Sequence, residues 1–130
     1  MPARTLIRVV GLSLALTSAA CSGATAPSDG VAEFVVDVAG ERFVVRTSDP
    51  ETIRLAEENR AGRNQTFPMG SLRSGNGGFN APWTWHLDPS SLQFVELAIE
   101  VCDGRPSYVE AHQPEYASYC PWGARVVGRR

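Results

Sequence analysis

Apolar and polar residues alternate from Ala32 through Phe34, Val36 and Val38, and the alternation resumes at Phe43 and Val45 after Ala39-Gly40. A period of two is that of a strand with one buried face, so this stretch predicts a hairpin turning at Ala39-Gly40. Ser48-Asp49-Pro50-Glu51 then predicts a helix start, with Asp49 as cap, Pro50 in the first turn and Glu51 at the positive end of the dipole. The helix should run to about Ala61 and stop at Gly62, lying on a sheet by a thin stripe of Ile53, Leu55 and Ala56. The glycine-bearing stretch from Arg63 to Ala81 reads as a long loop holding one short strand, Phe67 to Leu72.

Trp83-Thr84-Trp85-His86-Leu87 predicts a strand with both indoles and Leu87 on one face, closed by a turn at Asp88-Pro89-Ser90-Ser91. Gln93 to Cys102 carries the strongest strand pattern, with Val95, Leu97, Ile99 and Val101 expected to face the core. Pro106 to His112 predicts a short helix stopped by Pro114, and Gly123 to Val127 a last strand. The sum is an α+β domain: a small, mostly antiparallel sheet with two short helices.

Ahead of this domain, Arg4 and Arg8 precede a short apolar run from Val9 to Leu16 and the small residues Ser18-Ala19-Ala20. The run is far below the roughly 20 residues of a membrane-spanning helix, so residues 1–20 predict a removable export signal. Two processing outcomes stand open. Cys21 becomes the lipid-bearing first residue of an envelope lipoprotein, although Ser18 sits where such signals prefer Leu, or cleavage after Ala20 leaves a secreted chain with a free thiol. Residues 21–30 then read as a tether, and 31–130 as one globular domain.

After residue 20 the chain has ten arginines against fourteen acids, and it has no lysine anywhere. This balance does not suit a nucleic-acid backbone, which is bound by clustered cations. Lysine-based chemistry, whether Schiff base, Ser-Lys dyad or phosphate loop, is excluded.

In an exported domain of this size, Cys102 and Cys120 predict a structural disulfide worth about 3 kcal/mol in the chain-entropy model. A redox pair would sit closer, as CxxC, and a two-thiolate metal site lacks further ligands at a recognisable spacing. Trp83, Trp85 and Trp122 read as core or, beside the glycine-rich loop, as a platform on which Trp83, Trp85 and Asn80 meet a ligand. His86 and His112 would form a metal site only if the short helix crosses the strand and brings Glu110 or Asp103 with them. Glu96 and Glu100 sit about 13 Å apart along a strand, too far for a glycosidase pair. With no nucleophile elbow or nucleotide fingerprint, and no cofactor implied, the residues predict a non-enzymatic envelope module. It would bind a protein, peptide or glycan and touch the membrane through its N-terminal lipid alone. The alternative is a metal-binding protein or metal-dependent enzyme using His86 and His112.

Asn80-Ala81-Pro82-Trp83-Thr84-Trp85-His86-Leu87-Asp88-Pro89, Ala98-Ile99-Glu100-Val101-Cys102-Asp103, Tyr108-Val109-Glu110 and Cys120-Pro121-Trp122 occur in that order. Together they resemble a small domain found at the N-terminus of slime-mould calmodulin-binding proteins and alone in exported bacterial proteins. The likeness spans about Ala32 to Val127, with a shorter Gln113–Tyr119 segment than is usual. It implies no activity that transfers residue by residue. Calmodulin grips basic amphipathic helices, and the capped helix here sets Glu51, Glu57 and Glu58 against Arg54 and Arg60.

Overall fold

The computed structural model describes residues 30–99 and 101–130. The predicted signal, Cys21 and the tether as far as Asp29 lie outside the described residues. Among the described residues no helix is long and apolar enough to cross a membrane.

Strands β1 (Ala32–Val38) and β2 (Glu41–Thr47) form the predicted hairpin, with Val38 opposite Glu41 across a two-residue turn. Ala39 has φ 51° and Gly40 φ 89°. Positive φ at both positions suits the twist of a tight hairpin, but Ala39 holds its Cβ in the left-handed region at a cost of about 1 kcal/mol. Ala32, Phe34, Val36 and Val38 are all buried, as the alternation requires.

Helix α1 (Pro50–Arg60) begins where the capping signal lies. The Thr52 amide donates to Asp49 Oδ2 at 2.7 Å, and the Thr52 hydroxyl donates to the same oxygen. These bonds hold the Asp49 carboxyl below its usual range, the hydroxyl contributing most. At the other end the amides of Gly62 and Arg63 return to the carbonyls of Asn59 and Glu58, which closes the helix in a Schellman motif.

Strand β3 (Phe67–Ser74) is divided among three antiparallel partners. Its start pairs with β5 (Gln93–Val95), its end with β4 (Trp85–Leu87), and its middle with β6 (Ser118–Tyr119), which follows helix α2 (Pro106–Ala111). Strand β7 (Arg125–Arg129) returns to β1 and completes a sheet in the order β2-β1-β7. The architecture is α+β, with a three-stranded and a four-stranded antiparallel sheet in place of the single small sheet expected. One apolar core runs between them, from Phe34 and Val36 to Trp85, Leu87 and Tyr119. Asn59 fastens α1 to that core by donating to the Thr66 carbonyl at 2.6 Å and accepting from the Val126 amide at 2.9 Å.

The strongest predicted strand is the element the structure changes most. Pairing stops at Val95, and Leu97, Ile99 and Val101 face outward instead of inward. The two-residue period survives with its faces exchanged. Phe94 is buried, Ala98 packs on the core and Cys102 is buried, all at even positions. A period of two cannot bury odd and even positions on one face, so the Phe94 ring and the disulfide sulfur set the parity.

Candidate functional site

Asn80 and Trp85, expected at a ligand platform, are fully buried. Asn80 Oδ1 accepts from the Val44 amide at 2.7 Å, and its Nδ2 donates to the Trp85 carbonyl at 2.8 Å. One side chain therefore stitches β2 of the first sheet to β4 of the second. The Trp85 ring lies 5.5 Å from Phe43 and stands edge-on to Tyr119 at 5.4 Å, so its surface is spent on aromatic packing. Neither residue has surface to offer a ligand, which corrects their placement at a binding face. Trp83 is half-buried, its ring 6.1 Å from Trp85, and its Nε1 donates to the Arg42 carbonyl at 2.8 Å. It closes the edge of the core instead of standing above it as a ledge.

The two histidines are engaged separately. His86 Nδ1 lies 2.7 Å from the Gly75 carbonyl, and its ring meets Phe79 edge-on at 5.5 Å. Gly77 makes this possible: its φ is 64°, and a Cβ there would sit 2.8 Å from both rings. His112 Nδ1 lies 2.8 Å from the Tyr108 carbonyl, and its ring stacks on Tyr108 at 3.9 Å. Glu110 accepts instead from the Thr84 amide and hydroxyl, docking α2 against the Trp83–Trp85 segment. Among the described residues no three His, Cys, Asp or Glu side chains gather to hold a metal ion. The convergence required for the metal reading does not form.

Glu41, at the start of β2, performs a task the sequence hid. Its carboxylate accepts from the Ser107 amide and hydroxyl, both at 2.8 Å, and so caps α2 from 66 residues away. The backbone bond is the main reason its pKa lies below the usual range, with Arg105 adding attraction. Tyr119 donates from its hydroxyl to the Gly104 carbonyl at 2.6 Å, and Tyr116 donates to the Asp103 carbonyl at 2.8 Å. Burial pushes the Tyr119 phenol far above its ordinary pKa and raises that of Tyr116 as well.

Cys102 and Cys120 are joined with their Cα atoms 5.1 Å apart, and the Cys120 amide donates to the Cys102 carbonyl at 2.8 Å. Just beyond, the Trp122 amide donates to Asp103 Oδ1 at 3.0 Å, while the Trp122 side chain stays 55% exposed. Trp122, Phe67, Leu97, Ala98 and Gln65 line an open cleft of about 280 Å³. The family that matches, over residues 30–130, is the N-terminal domain of the BP-74 type of calmodulin-binding protein. The chain belongs to that family. No curated protein and no solved structure matches it.

In this BP-74 N-terminal domain the exposed apolar surface therefore lies away from Trp83 and Asn80. Leu97 is 77% and Ile99 94% exposed, and Val101 is wholly so. With Trp122 they are the functional candidates that reading the sequence missed. The signal was present in the parity of Phe94 and Cys102, which leaves the odd positions outside.

Proposed function

We propose that this member of the family is a non-enzymatic binding module of the cell envelope, exported and lipid-anchored through Cys21. Its contact face is Leu97, Ile99, Val101 and Trp122, and its partner is a polypeptide. One observation carries the reading: three aliphatic side chains at alternate positions are turned to solvent beside a half-exposed indole. Contiguous apolar surface of this kind marks an interaction site. A glycan would need convergent polar groups, whereas the cleft beside Trp122 offers mainly Phe67, Leu97, Ala98 and one amide, Gln65.

A photoreactive amino acid at position 97, irradiated in intact envelopes, should form an adduct with a polypeptide. The same probe at Thr84, beside Trp83, should not. Equal capture at both positions, or none at 97 in a correctly folded protein, refutes the face.

A further inference from the structure

We propose that the occupant of this face is a second copy of the chain, paired antiparallel along residues 97–101 about a two-fold axis at Ile99. This deepens the assignment of that face as a contact surface and rests on it.

Three observations carry the inference. First, the segment is a strand in pattern without a partner strand. Burial alternates from Leu97 to Cys102, yet β5 stops at Val95 and no ladder bond is formed by Leu97, Ile99 or Val101 among the described residues. An unpaired edge of this kind is a template for another chain, and the residues that usually guard one, Lys, Pro or an outward charge, are missing from positions 97, 98, 99 and 101.

Second, an isologous contact requires a patch that complements itself, and charge selects the register. Centred on Ile99, antiparallel pairing sets Leu97 opposite Val101 and Ala98 opposite residue 100, so all six aliphatic side chains share one face. Centred on Ala98, it would oppose Glu96 with Glu100; centred on residue 100, it would oppose Glu100 with itself. Directly opposed like charges disfavour both alternatives.

Third, the area is sufficient. Three outward aliphatics and a half-exposed tryptophan present on the order of 500 Å², and joining two such faces buries about 1,000 Å², the threshold for a specific interface. Both ends of the segment are already fixed, by Phe94 in the core and by the Cys102–Cys120 bond, so pairing orders little new chain.

The test uses the full chain with Cys21→Ser, which leaves one free thiol in each cysteine variant. Facing residues in an antiparallel pair have Cα atoms about 4.5–5.5 Å apart, within disulfide reach. Mild oxidation should therefore convert Ile99→Cys to a covalent dimer. Leu97→Cys should not cross-link to itself, because its two copies would be roughly 13 Å apart. Sedimentation equilibrium should show a reversible dimer that Ile99→Asp weakens by about tenfold or more. Near-ultraviolet circular dichroism of the buried aromatic cluster checks that each variant is folded.

A monomer at all concentrations, equal cross-linking at 97 and 99, or self-association unaffected by Ile99→Asp overturns the proposal. If position 97 captures a different polypeptide while Ile99→Cys stays monomeric, self-pairing fails and the contact face stands. If position 97 captures nothing, both fail.

Discussion

Replacing Asn80 with Ala distinguishes an internal tie from a ligand-binding residue. The truncation removes the acceptor of the Val44 amide and the donor to the Trp85 carbonyl, both in a fully buried setting. Each backbone group left unpaired costs about 1–3 kcal/mol, so the variant should lose about 3–5 kcal/mol. That is a large share of the ~5–15 kcal/mol typical of a whole domain. Asn80→Asp is a sharper probe, because a carboxylate still accepts from Val44 but faces the Trp85 carbonyl with no donor. It should destabilise at least as much at neutral pH, and partly recover where the acid is protonated and can donate. Urea denaturation gives the magnitude, and amide hydrogen exchange gives the place. The Val44 amide should lose protection beyond what the global loss of stability accounts for. A loss under about 1 kcal/mol with Val44 still protected would refute the argument that this side chain joins the two sheets.

Other consequences can be checked on the same material. Reducing the Cys102–Cys120 bond opens a loop spanning 18 positions and should lower stability by about 3 kcal/mol, read from denaturation with and without reductant. Ala39→Gly should raise stability by about 1 kcal/mol by relieving the left-handed strain at φ 51°, and a neutral or lower melting temperature would count against that turn geometry. The carboxyls of Asp49 and Glu41 have folded-state pKa values below their unfolded ones, so their contribution is present above the normal carboxylate range and lost as pH falls through it. Asp49→Asn and Glu41→Gln should each flatten that acid limb. Tyr119 shifts the opposite way: its neutral form is favoured in the fold, so stability should fall as pH rises past the ordinary phenol value near 10, and Tyr119→Phe should shrink this alkaline loss.

The elements legible in the chain are those specified by neighbouring residues. The β1–β2 hairpin follows from an unbroken alternation and a two-residue turn, and α1 from Asp49-Pro50 at one end and Gly62 at the other. Trp85 and Leu87 fall on the core side as their spacing requires. What escaped depends on contacts remote in sequence. Leu97, Ile99 and Val101 outnumber Phe94 and Cys102 in apolar weight, but Cys102 must reach Cys120 and Phe94 fills a gap beside β3. Asn80 looked like a loop residue because its partners, Val44 and Trp85, lie on strands of different sheets. The two histidines looked like potential ligands because nothing local shows that backbone carbonyls at Gly75 and Tyr108 already hold one nitrogen of each.

β3 surrenders its length in thirds, to β5, then β6, then β4. No neighbour therefore has a long ladder of its own, and each short partner relies on the same eight residues staying in place. A proline introduced at Gly70 or Ser71 would loosen all three attachments together, so unfolding of the second sheet should have no halfway stage. By contrast β1 shares out whole edges to β2 and β7, and the first sheet can shed β7 while the hairpin persists. The molecule thus has a brittle half and a peelable half, meeting at Asn80.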